Sequence, residues 1–187
     1  MTDLIHPLTA GVRLRPAALD DALSCAEALT RSRAYMKRWE PVRPDTFYTV
    51  EGQVMRLTGL LAEQDAGRAM PWVLADEEDR VVGAMTLASI EHGPFRNARL
   101  GYWIDVDRAG EGLATAAVGR VCVDARDRLG LHRVEAGTVV DNAASQRVLA
   151  KSGFEVIGTA PRYLHIDGAW RDHRLFQRIL HDGPPRH

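Results

Sequence analysis

The stretch Gly101-Tyr-Trp-Ile-Asp-Val-Asp-Arg-Ala-Gly-Glu-Gly-Leu-Ala-Thr115 decides how this chain is read. Leu100–Val106 is rich in aromatic and β-branched residues and is expected to be a strand. Gly110 and Gly112 follow, two apart. After them Ala114, Ala117, Val118, Val121, Cys122, Ala125 and Leu129 form one apolar stripe, which predicts a helix starting at Gly112. The first N–H groups of a helix lack partners within it, and the helix dipole favours an anion in front of them. Glycines there let the main chain approach that anion, and a pyrophosphate would satisfy several donors together. A glycine pair before a helix is also an ordinary turn. The P-loop reading fails because no Gly-Lys-Ser/Thr follows, and the three-glycine dinucleotide spacing is absent.

Outward from this turn, Val12–Arg15 reads as a short strand stopped by Pro16. Leu19, Ala22, Leu23, Ala26 and Leu29 have helical spacing, and Arg31–Pro44, with two prolines, is expected to be a loop. A second helix fits Val50, Val54, Leu57 and Leu61, with Thr49 as cap and Gly67 as stop. Trp72–Ala75 and Val81–Ile90 read as strands around the charged turn Asp76–Arg80. Val134–Val140 is the next strand, Ala143–Ser152 a short helix ending at Gly153. Two last strands flank Asp167-Gly168, a hairpin signal. This order predicts an α/β chain: a mixed sheet with helices on both faces.

The 187 residues suit one domain, with a core over about residues 12–180. A net charge of −1 gives no global field to hold nucleic acid. The basic run Arg31, Arg33, Lys37, Arg38 and Arg43 reads as a solvated helix end, with docking to ribosomal RNA as the alternative. Cys25 and Cys122 read as small core residues in a reducing compartment, and no Cys/His cluster has zinc spacing. Neither a signal peptide nor a membrane-length apolar run is visible, so a cytoplasmic location away from membranes is expected.

The segment Asp107-Arg-Ala-Gly110-Glu-Gly112 resembles the acyl-CoA-binding motif of the GNAT superfamily, Arg/Gln-x-x-Gly-x-Gly/Ala, with Asp107 as the departure. Asp141-Asn142-Ala-Ala-Ser145 with Lys151-Ser-Gly153-Phe154 is similar to the signature of the RimJ/RimL branch, which acetylates N-termini of ribosomal proteins. Tyr35-Met-Lys-Arg-Trp39-Glu40-Pro41-Val42-Arg43 and the run from Tyr163 to His173 resemble the RimJ loop and last hairpin. The resemblance implies the GNAT acyl-CoA N-acyltransferase fold: a mixed, mostly antiparallel sheet splayed between two central parallel strands. It implies acetyl-CoA as cosubstrate with no metal. The cofactor would lie along Trp103, Ile104, Val106, Arg108, Ala109, Gly110, Glu111, Gly112, Leu113, Ala114 and Thr115, and against Asn142 and Ser145.

The resemblance also implies direct transfer, with the amine and thioester held side by side. Ser145 is the candidate acid that protonates the leaving thiolate. The serine's other reading is a first-turn residue bonded to backbone, and Asn142 would be both cap and cofactor contact. The RimL-type glutamate falls on Leu164, and a sister branch's on Gly137, so no carboxylate carries over. Glu135, on the same strand face as Gly137, and Glu40 are the catalytic candidates for base; Asp105, His165 and Asp172 remain behind them. Tyr35, Trp39, Glu40 and Tyr163 are expected to line the acceptor groove, with Glu40 holding the ammonium. An α-amino group has a pKa of about 7.7–8.0 against about 10.4 for lysine, so a site without a strong base suits an N-terminus better. The expected acceptor is a protein or peptide N-terminus, a ribosomal protein included. Small amines or antibiotics, a succinyl donor, or a non-catalytic acyl-CoA-binding role are the alternatives; monomer and homodimer are both open.

Overall fold

The structure is a computed structural model and describes residues 5–9 and 11–184. Eight strands form one sheet in the order β1-β2-β3-β4-β5-β6-β8-β7. They are β1 (His6–Pro7), β2 (Arg13–Pro16), β3 (Met70–Ala75), β4 (Val81–Glu91), β5 (Asn97–Ile104), β6 (Arg133–Val139), β7 (Glu155–Ile166) and β8 (Ala169–Ile179). The helices are α1 (Ala22–Met36), α2 (Val50–Asp65), α3 (Leu113–Asp127) and α4 (Ala143–Lys151).

All neighbouring strands are antiparallel except β5 and β6, which run parallel. That pair matches only Asn97↔Arg133, Ala98↔Val134 and Arg99↔Glu135. Beyond Arg99 and Glu135 the two strands have no further partners in each other, although β5 stays paired to β4 and β6 to β8. Each therefore turns an open main-chain edge toward a gap in mid-sheet, and such groups require partners.

The two faces carry separate cores. Leu113, Ala117, Val118 and Val121 of α3 and Leu149 of α4 pack with Leu87, Ala98, Leu100, Val134 and Phe176. On the other face Cys25, Leu29 and Met36 of α1 and Leu57 of α2 pack with Val73 and Val81, and Trp103 leans on this cluster. On α3 this is the 3.6-residue stripe read from sequence, whereas Leu19 just before α1, Leu23 on α1, and Val50 and Val54 on α2 are exposed, and Cys25, Met36 and Gln53 are buried in addition to Leu29 and Leu57.

Several element boundaries differ from the sequence expectations. The segment Arg31–Pro44 is helical as far as Met36, because Ser32 and Met36 are buried on the α1 stripe and the first proline comes only at Pro41. β2 does end at Pro16, but the proline is its last paired residue, opposite Trp72, where no partner strand needs its missing N–H. β5 begins at Asn97 and ends at Ile104, and Val106 lies in the 3-10 turn Val106–Arg108 that Asp105 caps. The two-residue β1 was not anticipated; it is too short to show periodicity. Thr49 does cap α2, accepting from Gly52 N at 3.1 Å. Asp167 and Gly168, both at positive φ, turn the last hairpin.

Candidate active site

The turn between β5 and α3 is held from below. Buried Asp105 accepts hydrogen bonds from Arg31 at 2.5 Å and Ser32 at 3.3 Å, and Ser32 Oγ accepts from Val106 N at 3.0 Å. This ties α1 to the start of the loop and gives Asp105 a structural role. Arg108 and Glu111 pair across the loop at 2.8 Å. Gly110 (φ 89°) and Gly112 (φ 81°) then take left-handed conformations. Gly112 is the N-cap of α3, and no side chain caps the helix. A Cβ built on either glycine would meet nothing within 4 Å, so the main-chain amides here face open space.

That space is one end of a cavity of about 700 Å³. The cavity runs past Gly110, Gly112 and α4, through the β5–β6 gap, to α1 and the loop after it. Of the residues expected at the cofactor, Trp103, Ile104, Arg108, Ala109, Gly110, Gly112, Leu113, Ala114, Thr115, Asn142 and Ser145 line it. Val106 and Glu111 are not among its lining residues: one sits in the turn, the other is spent on Arg108. Tyr35, Trp39 and Glu40 line the far end. Tyr163 is outside the lining but stacks on His173, ring centres 5.1 Å apart.

On the α3–α4 face, Asn142 caps α4 by accepting from Ser145 N at 3.0 Å. Ser145 Oγ lies 2.7 Å from the Tyr102 hydroxyl. Burial pushes the Tyr102 phenol up to about 12, against the hydrogen bond with Ser145, which lowers it. The phenol therefore stays protonated and can donate to Ser145, leaving the serine O–H free to donate into the cavity.

The sheet's other face carries a different group. Arg99 pairs with Glu135, so Glu135 and Gly137 share a face with Trp103. A Cβ on Gly137 would point at Leu175 Cδ2 (3.5 Å) and His173 Cδ2 (3.9 Å), which places the His173 ring on this face beside the gap. His173 is buried and lines the cavity. Its Nδ1 is 3.1 Å from the Arg171 carbonyl oxygen. A carbonyl only accepts, so Nδ1 carries the proton of the neutral ring and Nε2 carries the lone pair. The irregular register of β7 and β8 at Ala160/Leu164 brings Tyr163 against this ring.

The expected bases fare differently. Glu135 is not among the cavity lining and lies 3.4 Å from Arg133, at the closed end where β5 and β6 still pair. Asp172 accepts from Arg162 N at 2.8 Å within the hairpin, and His165 packs on Trp170. Glu40 is in the cavity, its carboxyl raised by burial and drawn back by Arg43. Sequence reasoning overlooked Tyr102, His173, Arg56, Arg147 and Lys151, all of which line the cavity. Only the alternation of Tyr102 with Leu100 and Ile104 could have signalled one of them, as a residue facing the third helix.

A family model for the acetyltransferase (GNAT) domain matches residues 12–155. The chain belongs to the GNAT acetyltransferase family. Among its relatives, this GNAT chain is 33% identical to a probable N-acetyltransferase YjcK of Bacillus subtilis, over 88% of the chain and 91% of the relative. A solved ribosomal-protein-S5-alanine acetyltransferase from Vibrio fischeri superposes with a TM-score of 0.92 at 32% identity, covering 98% of this chain and 100% of the other. Mycobacterium smegmatis RimJ, solved with a CoA-disulfide, gives 0.89 at 34% identity, covering 95% and 87%. This GNAT protein is an N-acetyltransferase of the RimJ/RimL branch, with acetyl-CoA as acyl donor. No helix among the described residues is long and apolar enough to cross a membrane.

Proposed function

We propose that the enzyme acetylates the α-amino group at the N-terminus of a protein, with ribosomal proteins as the first acceptors to try. One observation carries this reading: proton donor and proton acceptor stand on opposite faces of the sheet, either side of the β5–β6 gap. Relatives named as ribosomal-protein alanine or serine acetyltransferases support it.

The residues present fit acetyl-CoA. Main-chain amides before α3 offer donors to a diphosphate, and Gly110 and Gly112 leave its path clear. Arg147 and Lys151 line the same end and form no ion pair among the described residues, so both are available to phosphate. Thr138 Oγ1, buried on β6 with no partner, faces a polar need that a pantetheine amide would meet. The open edges of β5 and β6 supply amides and carbonyls to the rest of that arm.

When acetyl-CoA is bound it supplies the acyl group as a thioester. His173 Nε2 accepts a proton from the incoming amine as nitrogen bonds to the acyl carbon. Ser145 gives its proton to the departing sulfur as Tyr102 donates to the serine oxygen, and water returns the proton to this pair before the next turnover. Trp39, Tyr35 and Trp103 wall the acceptor end, and Glu40 faces the ammonium before it enters. Holding the two reactants together accounts for the larger share of the rate, and each proton-transfer group adds roughly 10²–10⁴-fold. An α-ammonium, at about 8, releases its proton far more readily than a lysine at about 10.4, so this site favours the N-terminus.

The test is a set of peptides, each offered with a free N-terminus and no lysine, or with a blocked N-terminus and an internal lysine. Mass spectrometry should find the acetyl group on the α-nitrogen. Faster acetylation of lysine, or of spermidine, would sink the proposal.

A further inference from the structure

The acceptor end of the cavity carries more positive charge than its known tasks explain. Arg43 and Arg56 both line it, and neither forms an ion pair with any described residue. Arg56 donates from Nε to Gln53 Oε1 at 2.7 Å, and Gln53 is itself fully buried, its amide bonded to the Phe47 carbonyl. Its other neighbour is the Cys25 thiol, which burial pushes up to about 11, so that contact brings no negative charge. Burial lowers the Arg56 guanidinium from its usual value, and Arg43 acts on it as a like charge. Arg43 lies over the Phe47 ring, 5.0 Å from its centre.

Among the described residues that line the cavity, the one carboxylate is Glu40, which interacts with Arg43 and is itself raised by burial. Two guanidinium groups against one carboxylate leave a net positive wall. The diphosphate end already has its own cations, Arg147 and Lys151, so coenzyme A does not account for the arginines across the sheet. An amine acceptor arrives as a cation, and a wall of like charge opposes it. A partly buried arginine with no counter-ion is costly, and the cost is removed when a ligand brings one.

We propose that Arg56 and Arg43 form a carboxylate-binding subsite, filled by a carboxylate carried either on the acceptor a few residues from its reacting amine or on the acyl group of the donor. The inference rests on the amine-acetylation reading above and narrows it. Arg56 is the anchor, because Gln53 fixes its Nε and leaves the terminal Nη groups, beyond the contact with Cys25, to take a carboxylate end-on. Arg43, on the loop after α1, closes from the other side. Glu40 stands beside them to receive the ammonium. The acceptor class that fits is an amine with an acidic group nearby: an N-terminus followed by Asp or Glu, or an amino acid. Polyamines and aminoglycosides do not fit.

The experiment measures kcat/KM for the full chain with acetyl-CoA and matched acceptors. Peptides differ only by Asp against Asn, or Glu against Gln, at the second, third or fourth residue; free amino acids are compared with their amides. A carboxylate should raise kcat/KM roughly ten- to hundredfold at one position. That ratio should collapse toward one in Arg56→Met and shrink in Arg43→Gln, whereas Arg56→Lys keeps part of it. The ratio is internal to each variant, so it stays readable if a variant loses stability. A second arm offers succinyl-CoA against acetyl-CoA with an amide-only peptide. A succinyl preference that collapses in Arg56→Met keeps the subsite and assigns its carboxylate to the donor. Ratios below about twofold in both arms, or a preference for spermidine, overturn the subsite. The two readings fail separately: ratios near one in both arms, with free N-termini still acetylated, remove the subsite alone. Turnover of no free N-terminus removes the protein-acceptor reading, and the subsite is then decided by amino acids against their amides.

Discussion

Replacing Gly112 by alanine separates the two things this residue does. Its φ of 81° is left-handed, a conformation that costs a residue with a Cβ about 1–2 kcal/mol. Nothing lies within 4 Å of the new methyl, so no clash adds to that strain. For a chain of this size the loss is a fall in Tm of roughly 2–8 °C. Binding should suffer separately. The methyl stands in the open space before the α3 amides, where a diphosphate oxygen would accept from them. Losing one such charge-assisted bond, at about 1.5–3 kcal/mol, weakens coenzyme A by roughly ten- to hundredfold. Gly59→Ala is the control: it too has open space around its Cβ, it is exposed on α2, and its φ is not positive. That change should raise stability by about 0.4–1 kcal/mol and leave affinity alone. Thermal melting and isothermal titration with coenzyme A read the two effects. If Gly112→Ala lowered Tm as stated but bound coenzyme A as tightly as the parent, main-chain amides at this turn would not be what grips the cofactor.

His173→Gln should lower kcat by roughly a hundredfold while leaving the KM for acetyl-CoA nearly unchanged. Added imidazole should partly restore His173→Gly; no restoration, with the fold intact, would reduce His173 to a packing residue. The pH profile tests Tyr102. Its phenol, at about 12, keeps its proton well above the ordinary range, so the acid remains in place as pH rises. Turnover should climb as the α-amine loses its proton near pH 8 and then stay level through about pH 10. A falling limb between about 9 and 10 would mean the phenol titrates as if exposed. Tyr102→Phe should depress the level region itself, by roughly tenfold or more.

The parts of the fold visible in the sequence were those written in short-range patterns. The α3 stripe, the Thr49 cap, the Asp167-Gly168 turn and the glycine pair each depend on residues a few positions apart. The end of α1 was misjudged because Arg31, Arg33 and Lys37 look like a solvated loop in sequence. The burial of Met36 and of Ser32, which bonds Asp105 73 residues away, holds that segment against the core as helix. The same distance effect governs the site. Ser145 was named by motif, but its partner Tyr102 lies 43 residues earlier on another element. Glu135 shared a strand face with Gly137, yet it sits where β5 and β6 have not yet parted, and no strand pattern reveals where a parallel pair opens.

The proposed base, His173, differs in chemical class from the carboxylate that the sequence suggests. A carboxylate was expected because a motif position held leucine and another glycine. Gly137 has no side chain, and the strand paired beside it turns Leu175 and His173 toward the space a Cβ would occupy. Absence on one strand is thus filled from its neighbour, a relation set by the β6–β8 register. The Arg171 carbonyl fixes the tautomer, so one backbone atom decides which ring nitrogen meets the amine. A base on the α1–α2 face and an acid on the α3–α4 face require the reacting carbon to lie between them. The one route through the sheet for such a carbon is the opening beyond Arg99 and Glu135. With His173 as the proposed base, the parting of two strands does more than admit a cofactor: it would set which side the amine must come from, and so which charges, Glu40, Arg43 and Arg56, would meet it first.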